Sequence, residues 1–122
     1  MGRQSEGHSA KANSDLSGLR GRIMKVVGVD LVDVVSSTTD RPTGVLLNDP
    51  SAGQIAQLQL EGIAEVVADG SGTAIAVNDL VGHDTTGRVV RQAANAVNVT
   101  GHALDPCSVA GGTIRVVIRW GR

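Results

Sequence analysis

The chain has no phenylalanine and no tyrosine, and its one tryptophan is Trp120. A surface that holds nucleobases or sugar rings by stacking needs aromatic platforms, so this absence argues against a base-stacking nucleic-acid binder. Cysteine is nearly absent too. The lone Cys107 cannot form an internal disulfide, so export into an oxidising space has no support. Charge of one sign is also missing. With 11 Lys and Arg against 12 Asp and Glu, the chain carries no basic field to hold a phosphate backbone. No stretch approaches the run of about 18 apolar residues that a membrane helix requires, and the N-terminus lacks the apolar segment of a signal peptide. The expectation is a soluble protein made in a cytoplasm, free of nucleic acid and membrane. In that setting the Asn98-Val99-Thr100 sequon has no role.

What is present is glycine, at 16 of 122 residues, and aliphatic side chains. A chain of this length makes one domain with a single modest core. Val, Ile, Leu and Ala must build it, each large aliphatic contributing roughly 1.5–3 kcal/mol when buried. That is lean for a free-standing monomer, so oligomerisation or docking on a larger body is expected.

Residues 1–19, "MGRQSEGHSAKANSDLSGL", are polar and hold only Leu16 and Leu19 as large apolar side chains beyond Met1. Alone they bury too little surface to offset their ordering entropy. They read as an extended N-terminal arm that orders against a neighbouring subunit or a larger surface, with Leu16 and Leu19 as anchors. Residues 20–122 read as the folded domain.

From Arg20 onward, short aliphatic runs alternate with Gly, Pro, Asn and Asp at spacings of roughly 8–12 residues, the signal of an all-β sandwich or barrel of short antiparallel strands. In Thr113–Trp120, alternation places Ile114, Val116, Ile118 and Trp120 on one face and Thr113, Arg115, Val117 and Arg119 on the other. Leu80–His83 and Arg88–Gln92 read as a hairpin around Asp84-Thr85-Thr86-Gly87, where Gly87 supplies a positive φ. "GQIAQLQLEGIAEVVADG" reads as one bent strand or two, with Ala56, Leu58, Leu60, Gly62, Ala64 and Val66 inward. Ile55 and Ile63 fall on its polar face. Further strands are expected near Ile23–Val27, Leu31–Val35, Gly44–Leu47 and Val97–Leu104, and one short helical piece within Ala52–Gln57 or Arg91–Ala96. No clean internal repeat is visible.

The candidates for chemistry lack partners. His102 and Cys107 are five residues apart across Pro106, and the second ligand pair of a zinc site is missing. His83 stands beside Asp84, but no serine sits in a nucleophile elbow. "DGSGT", Asp69–Thr73, has neither the lysine nor the following helix of a phosphate loop. Asp30 and Asp33 would point to opposite faces of a regular strand, which is wrong for a carboxylate pair. Arg115 and Arg119 lie on one strand face about 13 Å apart by strand rise, suited to a carboxylate of a neighbouring subunit. The reading is of no catalytic residue, no metal and no cofactor.

The order of the motifs carries more than any one of them. Gly44-Val45-Leu46, Gly53 through Ala64, Ala74-Ile75-Ala76, Asp79-Leu80-Val81, Gly87-Arg88-Val89, Gly101-His102-Ala103-Leu104 and Gly112 through Ile118 follow one another as they do in a known family. Together they resemble the small capsid decoration, or cement, proteins of tailed bacteriophages. Asn78 stands where that family usually has glycine, and Asn tolerates the same left-handed backbone. The resemblance implies a barrel-like all-β fold and no catalysis. It also implies oligomers, often trimers, on the outer capsid surface of the virion, bound to the major capsid protein. Two other classes compete. One is a small trimeric β-fold enzyme of the dUTPase kind, echoed in Gly28-Val29-Asp30. The other is a carbohydrate- or host-surface-binding module. Both usually need the aromatic side chains that are missing.

Overall fold

Ten strands fold into two closed five-stranded barrels in the computed structural model, which describes residues 7–92 and 98–121. The first barrel holds β1 (Gly7–Ala12), β2 (Ile23–Gly28), β3 (Leu31–Val34), β4 (Gly44–Leu46) and β5 (Ile55–Gln59). The second holds β6 (Ile63–Asp69), β7 (Leu80–His83), β8 (Val89–Arg91), β9 (Val99–Ala103) and β10 (Ala110–Gly121). The fold is all-β, as the alternation indicated.

The expected split into an arm and a domain is replaced by a different organisation. From Gly7 the supposed arm is barrel wall: β1 pairs antiparallel with β5, from Gly7 opposite Gln59 to Lys11 opposite Ile55, and parallel with β3. Its inward side chains are Ala10 and Ala12, both buried, while Ser9 and Lys11 face out. Alanines suffice there because the interior of a small barrel is narrow. Leu16, fully buried, and Leu19 are packed in the first barrel's own core with Met24, Val32, Leu46 and Leu58. The Leu16 amide donates to the Pro50 carbonyl at 2.9 Å. Both leucines anchor the segment within the chain. Residues 1–6 lie outside the described residues.

The helical piece expected within Ala52–Gln57 is a turn leading into β5. Gly53 takes φ 83° there and Ile55 begins the strand, since alternation of Ala56 and Leu58 into the core outweighs local helix preference. Most of the alternative, Arg91–Ala96, lies outside the described residues, as does Val97.

The two barrels have the same topology. The ring order of the first is β1-β3-β2-β4-β5 and of the second β6-β8-β7-β9-β10, each with one parallel pair, between its first and third strands. The registers match as well. The bond from Val35 N–H to the Ile23 carbonyl recurs from Gln92 to Leu80, and that from Gly21 to Leu46 recurs from Asn78 to Ala103, each moved by 57 residues. Left-handed residues coincide under the same shift: Gly21 (φ 85°) with Asn78 (φ 74°), and Asp30 (φ 54°) with Gly87 (φ 86°). The structure thus contains an internal repeat that the side chains do not advertise.

The barrels are fused rather than strung together. Ile23, Val35 and Val45 turn away from the first barrel's interior and join the second barrel's core, with Val66, Val81, Ile114 and Val116. Between Val67 of β6 and Gly87 before β8 runs the segment Gly21–Ile23. Val67 donates to the Gly21 carbonyl at 3.0 Å and Ile23 donates to the Gly87 carbonyl at 2.8 Å. At the other side of the linker, the Trp120 indole N–H donates to the Leu60 carbonyl at 2.7 Å.

Candidate functional site

The residues singled out for chemistry are dispersed and structural. His83 is buried, with Nε2 2.9 Å from the Asp40 carbonyl and Nδ1 3.1 Å from that of Asp84. It ties the β7–β8 hairpin to the loop after β3. His102 lies half-buried in β9, opposite Val117 and Leu80. Cys107 is buried, its backbone bridged to Ile75 and its thiol 3.2 Å from the Val109 carbonyl. In the "DGSGT" loop the Asp69 carboxylate accepts from both the amide and the hydroxyl of Ser71, closing a turn upon itself. Among the described residues no three of His, Cys, Asp and Glu gather as a metal would require.

Arg115 has a carboxylate, from its own chain. Its Nε and Nη2 donate to Oδ2 and Oδ1 of Asp105 at 2.9 and 2.8 Å, and its amide donates to Oδ2 at 2.9 Å. The guanidinium holds the Asp105 carboxyl down to about 2, and the backbone bond adds to it. Alternation placed Arg115 outward correctly. Its partner sits in a turn ten residues upstream, where periodicity gives no signal. Arg119 is exposed on the same face. A second acid is just as firmly held: Asp40 accepts from the Ser36 and Ser37 amides and from Lys25, and is lowered to about 2, the Ser36 amide being the largest cause.

What the surface offers is apolar. The tip of the β2–β3 hairpin carries Val26, 57% exposed, Val27, 43% exposed, and Val29, 92% exposed. Beside it runs a shallow groove of about 400 Å³ lined by Ala10, Leu31 and Val32. This tip is the Gly28-Val29-Asp30 stretch, and Asp30 there is a turn residue with positive φ. Sequence reasoning placed Val26 and Val27 in a strand without seeing that they stay exposed there. A second groove, about 550 Å³, follows the junction of the barrels past Arg20, Leu46, Leu47, Ile63 and Glu65.

Comparison with known proteins places this architecture. The sequence model of a family described as phage cement protein matches residues 20–118, from the end of the first inter-strand loop to β10. By structure the chain is similar to the crystal structure of the head fiber gp8.5 N base in bacteriophage phi29, with a TM-score of 0.70 over 95% of each chain. Identity there is 22%, so that likeness speaks for the fold. No curated protein matches by sequence.

Proposed function

The chain belongs to the phage cement protein family, and from that membership we propose that it binds the outer surface of a phage capsid and reinforces the shell. It is a phage structural protein with no catalytic constellation among its described residues. The partners in this reading are the major capsid protein and further copies of the chain, a trimer being the expected assembly.

The observation that carries the reading is the span of the family match, which runs through both barrels and their junction. The physical logic is mass action. A protein that binds only the assembled shell stabilises it by its binding free energy, and many copies repeat that gain over the surface. Such work needs a rigid body with apolar contact points. Two fused closed barrels with a valine-tipped hairpin supply both. The test is to add purified protein to capsids lacking it. Co-sedimentation in fixed stoichiometry and a raised temperature of DNA release are expected. Failure to sediment with capsids at micromolar concentration would sink the proposal.

A second reading has its own support. The fold likeness to a head fiber base covers nearly the whole chain, so the same body would serve as the capsid-proximal base of a fiber. Electron microscopy of decorated shells separates the two, by compact knobs or by projecting fibers.

A further inference from the structure

His83 is 1% exposed, and both of its ring nitrogens face the same kind of atom. Nε2 lies 2.9 Å from the Asp40 carbonyl oxygen and Nδ1 lies 3.1 Å from that of Asp84. A carbonyl only accepts. A neutral imidazole carries one N–H, so it donates to one of the two and turns a lone pair toward the other. The imidazolium carries two N–H groups and satisfies both. Among the described residues neither carbonyl has another donor.

The two carbonyls belong to different barrels. Asp40 stands in the β3–β4 loop of the first, and Asp84 in the β7–β8 turn of the second. Each turn is closed by its own carboxylate, so neither carbonyl swings away easily. Asp40 Oδ2 accepts from the Ser36 and Ser37 amides at 2.8 and 3.0 Å. Asp84 Oδ1 accepts from the Thr86 and Arg88 amides, also at 2.8 and 3.0 Å. The repeat supplies a comparison. His83 stands opposite Val89 as Val26 stands opposite Val32, and Val26 is 57% exposed. The hairpin frame therefore needs no polar group at this position; the imidazole answers to the contact between the barrels.

The charged groups of the surrounding elements are committed elsewhere. The Asp40 carboxylate has Nζ of Lys25, from β2, at 2.9 Å. Arg88 of the hairpin serves both Asp69 of β6, at 3.2 Å, and Asp84, at 3.6 Å. Arg91 of β8 lies 3.5 Å from Asp79. Arg22 gives Nη1 to the Thr86 carbonyl, and Arg41 of the β3–β4 loop is exposed. Each of these carboxylates has a cationic partner, so the groups in bonding distance of the ring are the two carbonyl dipoles. Burial opposes a charged ring, while hydrogen bonds made only by the charged form favour it.

We infer that His83 is a proton-operated clamp between the barrels. Neutral, it holds either the β3–β4 loop or the β7–β8 turn; protonated, it holds both. The junction then tightens as pH falls through the range where an imidazole titrates, around 6.5 for an unperturbed ring. The added stability is present below that range and lost as pH rises through it. A buried histidine without two acceptors behaves in the opposite sense, since charging it weakens the fold.

The test is native-state hydrogen exchange on the full chain between pH 8 and pH 6, for wild type and His83→Gln, whose amide does not titrate. The reporter is the Ile23 amide, which crosses the junction to the Gly87 carbonyl at 2.8 Å. Its protection factor, taken against the unfolded-chain rate at each pH, should rise about tenfold in wild type on acidification, as one hydrogen bond from a charged group would give. It should stay flat in His83→Gln. Ring nitrogen resonances follow the protonation of His83 separately from His8 and His102. Protection that is flat or falls in wild type, that follows His102 instead, or that rises equally in His83→Gln would each overturn the inference. Should the variant fail to fold, the wild-type titrations decide alone: both His83 ring N–H protons must appear together with the rise in protection, and a rise without them overturns the clamp.

Discussion

Gly44 and Gly101 occupy one position in two barrels, each where the fourth strand crosses the fifth. A Cβ on Gly44 would lie 3.0 Å from Leu58 Cβ and 3.1 Å from the Gln59 carbonyl; on Gly101 it would collide with the Val117 carbonyl. At Gly101 the fourth strand runs against its neighbour's backbone and only glycine allows the approach, whereas at Gly44 an added Cβ would need Leu58 and Gln59 to give by a few tenths of an ångström.

Gly101→Ala should therefore destabilise the protein more than Gly44→Ala. Overpacking of this kind costs typically about 1–3 kcal/mol, and backbone against backbone lies at the upper end or beyond. Urea unfolding of the two variants measures it. Equal midpoints would show that the crossing at Gly101 is looser than described.

Leu16→Ala should cost roughly 2–5 kcal/mol as a buried leucine deletion. Removing residues 1–19 should unfold the first barrel, because β1 closes the ring between β3 and β5. Chemical denaturation of Leu16→Ala beside Val29→Ser gives the contrast, as Val29 has little to lose on exposure. A truncated protein that keeps the wild-type melting temperature would contradict this.

The last strand offers a matched pair. Ile118, 6% exposed, should cost roughly 2–5 kcal/mol on change to alanine, and exposed Thr113 should cost little. Trp120 reports the same event. Its indole is bonded to Leu60, so its emission should shift to the red when the junction opens. Equal effects at 113 and 118 would mean the facing is misassigned.

Acid should weaken the fold in a defined window. In the folded chain the Asp40 and Asp105 carboxyls are lowered to about 2, below the usual 3.8 of an aspartate. Below about pH 4 the unfolded chain binds protons that the folded chain refuses, so stability falls as pH drops. The loss continues until both carboxylates are protonated near pH 2. Melting temperature followed from pH 5 to pH 2 should drop, and Asp105→Asn should flatten the slope. A variant with the wild-type slope would show that the Arg115 pair does not hold in solution.

Sequence reading reached the strands where large aliphatics alternate. Ile114, Val116 and Ile118 point inward, Ile55 and Ile63 point outward, and the β7–β8 hairpin turns at Gly87. It missed β1 because that strand's inward residues are Ala10 and Ala12, too small to register as a hydrophobic stripe. The repeat stayed hidden for a related reason. Backbone register is shared, but the side chains at matched positions answer to different neighbours: Val34 against Arg91, Val45 against His102, Val26 against His83. Matched positions that meet different neighbours need different residues on the same frame. The strand expected near Ile23–Val27 is found, but the exposure of its Val26 and Val27 leaves no mark in the sequence, since valines in a strand look alike whether or not anything packs on them.

The sharing of Ile23, Val35 and Val45 between the barrels bears on how the chain emerges from the ribosome. The first barrel is complete once Gln59 has been made, yet these three side chains then face water until the second barrel closes over them. That closure waits for β10, which follows β6 to β9 in the chain and pairs with both β6 and β9. Until then the nascent chain presents a greasy patch beside a finished ring, and splitting the gene between the two halves would leave the first half sticky. The two barrels share Ile23, Val35 and Val45, and β10 closes the ring whose core holds them.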